Sequence, residues 1–225
     1  MIHKTVIIDG DVVIGEGTVI GPYTHIIGPV RIGANNWIGS HVVIGSPPEM
    51  SNCNHHEYEP TMPIVIGNNN VIREFTAIQR GTERRTEIGD NCFIMEKCHI
   101  PHDAVIEDDV TMSPLVVLGG HCTVMAGATI GMSAVVHQFT VIGHCAMIAM
   151  NASVTKNIPP FSKYIPGKDL RLNDHKIESY DLSGVRDLIH GEILGQRYDA
   201  QDIRYWFDRY YDLSGESGRK EYHPA

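Results

Sequence analysis

At 225 residues, with 42% hydrophobic content and a formal net charge of −9, the chain can bury a sizeable core and carries no basic excess for binding nucleic-acid phosphates. No run reaches the roughly 18 apolar residues of a membrane span. Met1-Ile2-His3-Lys4 lacks the charged-then-apolar layout of a secretion signal, so a cytoplasmic location is expected. Five cysteines without a Cys-x-x-Cys pair argue against a disulfide framework and a zinc knuckle.

From the N-terminus the chain reads as a run of short strands. Ile8, Ile14, Ile20, Ile26, Ile32, Ile38 and Ile44 recur at a spacing of six. Ile66, Ile72 and Ile78 follow an interruption, and after a second one the series runs from Ile88 through Ile94, Ile100, Ile106, Met112, Leu118, Val124, Ile130, Val136, Ile142 and Ile148 to Val154. Of these 22 aliphatic positions, 17 are Ile. Four residues after most of them comes a small or β-branched residue, as at Thr18, Thr24, Val30, Ala104, Ala128, Ala134, Ala146 and Ala152. Cys92, Cys98 and Cys122 share that column, so packing explains them. Gly often follows the aliphatic directly, as at Gly15, Gly33 and Gly67.

Each six-residue unit predicts a strand and a corner, with the branched aliphatic pointing inward and glycine permitting the turn. Three units close a coil of 18 residues, and coils stack at roughly 4.8 Å. The expected architecture is an all-β solenoid, a parallel β-helix of about seven coils over residues 1–165, followed by a helical extension over 166–225. The 22-residue step from Ile44 to Ile66 and the 10-residue step from Ile78 to Ile88 break the period, so segments around 46–64 and 82–86 are expected to loop out.

After Pro159-Pro160 the pattern changes to a helical one. Ser183 is expected to cap a helix carrying Val185, Leu188, Ile189 and Ile193. Asp199 is expected to cap a second, whose apolar face is Ile203, Trp206, Phe207, Tyr210 and Tyr211. These helices would cover an end of the prism or dock on its side.

The 18-residue coil also groups polar residues. His102, Gly120 and Gln138 form one column, Asp103 and His121 the next, and His137 lies on the other side; His99 shares a coil with His102. None falls on an inward position, so the group is expected to project outward. Any single one reads better as a solvated surface histidine. Together they offer an imidazole near neutral pKa as a general base, with Asp103 or another acid to orient it. A main-chain N–H at Gly119, Gly120 or Gly127 would steady an oxyanion.

Cys98-His99-Ile100-Pro101-His102-Asp103, Gly119-Gly120-His121 and Ala134-Val135-Val136-His137-Gln138-Phe139 resemble segments of the UDP-N-acetylglucosamine O-acyltransferase family of lipid A biosynthesis, within the hexapeptide-repeat acyltransferases. Ile72-Arg73-Glu74, Arg80-Gly81-Thr82 and Asn157-Ile158-Pro159-Pro160-Phe161 extend the likeness through residues 1–165. The resemblance implies a left-handed helix, His102 as general base with Asp103, and Gly120 in the oxyanion region. It places His99, His121, His137, Gln138, Gln79 and Arg80 at the substrate. It further implies a homotrimer with sites between neighbouring prisms, no permanently bound cofactor or metal, and acyl carrier protein as donor, with coenzyme A as the alternative. The acceptor would be a nucleotide sugar or related small molecule carrying a hydroxyl or amine.

The chain departs from that family in three places. The first loop, from Pro47 to Pro60, lacks the lysine of the family's Asp-x-Lys element; Gln79 replaces a family histidine; and the paired tail arginines have no counterpart between Lys176 and Val185. A different acceptor is therefore expected. Docking of an acidic carrier would draw on Arg80, Arg84 and Arg85, or on Lys156, Lys163, Lys168 and Arg171. Three competing readings stand beside this one. A zinc carbonic anhydrase on the same prism would need a His-x4-His pair, which is lacking; His55, His56, Glu57 and Glu59 are read as a polar loop over the acceptor rather than a metal site; a non-enzymatic scaffold would not need the histidine patch.

Overall fold

In the computed structural model, which describes residues 1–51, 54 and 62–222, the repeat closes into a three-sided parallel β-helix. One face stacks eight strands from Ile7–Asp9 to Ser153–Val154, and the second stacks seven from Val12–Ile14 to Val141–Ile142. The third runs from Val19–Ile20 to Met147–Ile148 and continues through Ser162–Tyr164, with Arg171–Leu172 returning antiparallel at its edge. Those additions and the bridge from Ile142 to Ile158 bring the count from the expected seven coils to about eight.

The inward aliphatics form one continuous stack: Ile26, Ile38, Ile44, Ile72, Ile100, Ile106 and Ile148 are all fully buried. Each contributes roughly 1.5–3 kcal/mol. Ile8, on the open first coil, is 42% exposed because nothing stacks beneath it. The glycines after the aliphatics are required by coil-to-coil approach: a Cβ on Gly33 would stand 2.5 Å from the Gly67 carbonyl oxygen.

Regular coils pair residues 18 apart, as Val105 with Thr123. Across the two breaks the partners are Val30 with Ile64 and Ala77 with His99. Both insertions leave the prism between the first and second faces, after Val43–Ser46 and after Ala77–Gln79. That is the corner which carries Asp103, His121 and Phe139 on the following coils. All three have left-handed backbones, with φ of 61°, 61° and 62°, which turns their side chains away from the core.

The tail contains helix α1 (Asp174–Ser179), a 3-10 turn at Ser183–Val185, helix α2 (Arg186–Ile193) and helix α3 (Gln201–Ser217). Ser183 opens the 3-10 turn instead of capping α2, and the N-cap of α3 is Ala200 rather than Asp199, without a side-chain cap. The first of these helices carried no sequence signal. The helices dock on the side of the prism. Ile177, Ile189, Ile203 and Phe207 cluster with Cys145 and Phe161 of the last coils, and Tyr210 packs on Met125 and Val141. No helix among the described residues is long and apolar enough to cross a membrane.

Candidate active site

Asp103 is the centre of the histidine patch. It points out of the prism, as expected, yet it is completely buried, because the second loop folds back over it. Its Oδ1 accepts main-chain N–H groups from Thr82 (2.9 Å), Glu83 (2.9 Å) and Arg84 (2.7 Å). Its Oδ2 accepts the Thr82 hydroxyl (2.7 Å) and meets His102 Nδ1 at 2.7 Å. Burial by itself would raise the Asp103 pKa; the hydrogen bonds from Arg84, His102 and Thr82 outweigh it and hold the carboxyl at about 2.

An ionised carboxylate only accepts hydrogen bonds, so His102 donates from Nδ1, and in the neutral ring Nε2 is then the nitrogen with the free lone pair. Gly120 makes room for that ring: a Cβ there would stand 2.5 Å from His102 Cε1 and 2.7 Å from Nε2. Among the described residues, no hydrogen bond is donated by the Gly120 N–H. His121 packs edge-on against His102, with centroids 5.2 Å apart, and stacks on Phe139 at 4.5 Å. Its Nε2 lies 3.6 Å from Asp103 Oδ2. Burial lowers the pKa of His121, and likewise that of His99, whose Nε2 lies 3.6 Å from Glu49 Oε2.

His137 and Gln138 are exposed at the other edge of the patch. They meet the C-terminal segment: Arg219 Nε donates to the Gln138 carbonyl (2.9 Å), and its Nη2 bonds His137 Nδ1. A cavity of about 370 Å³ adjoins His121 between the second loop and the end of α3, lined by Glu83, Arg84, Phe139, Leu213 and Ser217 among others.

His102, Asp103, Gly120 and His121 thus meet in one cluster, flanked by His99 on one side and by His137 and Gln138 on the other. Two expected site residues do not join them through any contact of this kind. Arg80 is buried and donates to the Ile27 and Gly28 carbonyls of an earlier coil, which ties the loop base to the prism. Gln79 is also buried, its Oε1 without a partner among the described residues. Arg84, one of the charges expected to meet an acidic carrier, is held against the prism: it donates from Nε to the Asp103 carbonyl (2.6 Å) and from Nη2 to the His121 carbonyl (3.0 Å). Arg85 pairs with Glu87. Beyond the broken period no sequence signal pointed to the backbone cradle at 82–84, and none pointed to Arg219. The proposed polar loop of His55, His56, Glu57 and Glu59 lies outside the described residues.

The trio His102, Asp103 and His121 brings three potential ligand atoms within 4.8 Å of one another. The carboxylate, however, already accepts five hydrogen bonds, and an ion would have to displace some of them. The arrangement suits proton transfer better than coordination.

The bacterial transferase hexapeptide (six repeats) family model matches residues 11–46 and 85–120. An acyl-[acyl-carrier-protein]–UDP-N-acetylglucosamine O-acyltransferase of Nautilia profundicola is 40% identical over 158 residues, 69% of this chain and 57% of the relative. The chain therefore matches little more than half the length of that protein. Its namesake from Synechocystis sp. is 34% identical over 201 residues, covering 88% of this chain and 69% of the relative. The chain belongs to the UDP-N-acetylglucosamine O-acyltransferase family. The solved UDP-N-acetylglucosamine acyltransferase of Campylobacter jejuni superposes over 100% of both chains, with a TM-score of 0.78 and 25% identity. Within this acyltransferase family fold, the second loop and the end of α3 meet at the histidine corner.

Proposed function

We propose that the chain transfers an acyl group from the thioester of acyl carrier protein to a hydroxyl or amine of a nucleotide sugar, with His102 Nε2 as general base. The hydrogen bond from His102 to a buried, ionised Asp103 carries the reading. His102 takes the proton of the attacking O–H or N–H as its oxygen or nitrogen bonds to the thioester carbonyl carbon. The tetrahedral oxyanion accepts from the Gly120 N–H. Collapse breaks the C–S bond, and the proton returns from the His102 imidazolium to the leaving thiolate. Asp103 stabilises the imidazolium without taking its proton. His99, His121, His137 and Gln138 would line the substrates.

The donor follows from the names of the relatives, which act on an acyl carrier protein thioester. Lys163 and Arg171, cross-strand neighbours on the third face, supply a basic patch for an acidic carrier. A homotrimer is supported by exposed apolar side chains on the first face: Val117 and Val135 stand in the column above His99, and Phe75 (55%), Leu115 (46%) and Met150 (68%) lie at the edge of that face away from Asp103. The acceptor differs from UDP-N-acetylglucosamine in the reading we favour, because the first loop lacks a lysine and Gln79 stands for the family histidine.

The test is thiol release by purified protein with long- and short-chain acyl carrier protein and acyl-coenzyme A donors. UDP-N-acetylglucosamine, its 3-amino analogue and other amino sugars serve as acceptors. Turnover should fall roughly 10²–10⁴-fold in His102→Ala. Full activity in that variant would sink the mechanism.

A further inference from the structure

The patch contains a second histidine whose tautomer is set by a charged partner, and the partner is of opposite sign. His102 faces a carboxylate through Nδ1; His137 faces a guanidinium through the same atom. A guanidinium has no acceptor, so His137 Nδ1 must be the unprotonated nitrogen. Its proton then sits on Nε2, making His137 a donor where His102 is a base. A competing contact, from Nδ1 to the Gln138 carbonyl, is 3.4 Å long, and that carbonyl already accepts from Arg219 Nε at 2.9 Å.

Arg219 does not arrive there on a loose tail. Asn157, fully buried in the last coils, spends all its polar groups on the connection. Its Oδ1 accepts the Val141 N–H (2.8 Å), and its Nδ2 donates to Ser217 Oγ (2.9 Å) and the Arg219 carbonyl (3.3 Å). Its own N–H donates to the Lys220 carbonyl and its carbonyl accepts the Tyr222 N–H, both at 2.9 Å. Ser217 Oγ accepts from the Arg219 N–H (3.2 Å), and Gly218 takes a left-handed turn, φ 63°, at the end of α3. Two fixed ends thus hold the guanidinium against an exposed histidine.

We infer that Arg219 is a positioning residue: held by Asn157, it fixes His137 as an Nε2–H donor toward an acceptor-oxygen group of the substrate, such as a phosphate or sugar oxygen. The inference rests on the acyltransfer reading for the word substrate, but not for the tautomer. The C-terminal segment, contributed from 82 residues away in sequence, becomes part of the binding edge of the site.

Nitrogen-15 NMR of the histidine-labelled full chain, unliganded and at neutral pH, reads the tautomer directly. The wild type should show His137 as the Nε2–H form alone. Arg219→Met frees both Nδ1 and the Gln138 carbonyl, so an Nδ1–H population bonded to that carbonyl should appear; Arg219→Lys should retain more of the original form. An Nδ1–H form in the wild type, or identical populations in wild type and Arg219→Met, would overturn the inference. In turnover assays, Arg219→Met should raise the acceptor KM several-fold with little change in kcat. In a His137→Ala background the same change should add nothing. An equal further loss there would make Arg219 a mere tail anchor. Absence of any turnover by the wild type would count against the acyltransfer reading while leaving the NMR result to decide the tautomer.

Discussion

His102 Nδ1 lies 2.7 Å from Asp103 Oδ2, and the loop at Thr82–Arg84 seals that carboxylate from water with three main-chain N–H groups. The pair therefore combines an imidazole with a partner that stays ionised, the arrangement that the proposed general base requires. Asp103→Asn should remove the charge, allow the wrong tautomer and lower kcat by about 10²–10⁴-fold. It should also change the acid limb of stability. The folded-state pKa, about 2, lies below the ordinary 3.8, so Asp103 stabilises the fold above pH 4 and this contribution is lost as pH falls toward 2. The amount is about 2 kcal/mol. Urea midpoints at pH 7 and pH 3 should show the difference between wild type and variant shrinking at the lower pH.

Gly120 should not tolerate a methyl group. Alanine would place Cβ 2.5 Å from the His102 ring, which must swing away from Asp103. The expected result for Gly120→Ala is a near-normal melting temperature with kcat reduced at least about 10²-fold, since the base is misplaced while the core is untouched. Normal kcat would show that His102 works from another rotamer.

Arg84 ties the covering loop to the prism through the Asp103 and His121 carbonyls. Arg84→Met should loosen the cradle, admit water to Asp103 and raise its pKa toward 3.8. Carbon-13 NMR of the carboxyl should follow that shift, and kcat should fall by at least about tenfold, given about 1.5–3 kcal/mol per lost hydrogen bond of a charged group.

His144 gives the chain a second acid-sensitive point. It is 7% exposed, stacks on Trp206 with centroids 5.4 Å apart, and its Nε2 has no hydrogen-bond partner among the described residues. Burial, with a smaller effect from Lys176, lowers its pKa to about 4 from 6.5. A histidine depressed in the folded state stabilises above 6.5 and loses that contribution as pH falls toward 4, by roughly 3 kcal/mol. His144→Phe should keep the stack and flatten the melting-temperature profile between pH 7 and 4. An unchanged slope would mean another group carries the acid sensitivity.

Chelator treatment should leave activity intact. Every acceptor position of Asp103 is taken by protein donors, so the His102, Asp103 and His121 trio has no free carboxylate oxygen for an ion. Loss of turnover on EDTA dialysis, restored by zinc, would contradict the proton-transfer reading.

The prism is legible in the sequence alone. A period of six in residues such as Ile26, Ile38 and Ile100 is local information, repeated until one inward column and three faces are the consistent solution. It also determined the columns that bring His102, Gly120 and Gln138 into line, because coil length converts spacing into position. What lay outside the period was decided by tertiary structure. The loop around 82–86 could be seen to leave the prism, but its return over Asp103 depends on Arg84 reaching carbonyls 19 and 37 residues away. Arg80, expected at the substrate, also donates to the carbonyls of Ile27 and Gly28 on an earlier coil, contacts that no spacing in the sequence announces. Arg219 meets His137 across 82 residues through a buried Asn157. Repeats propagate their geometry along the chain; loops and tails take theirs from whichever hydrogen-bond partners the folded surface presents.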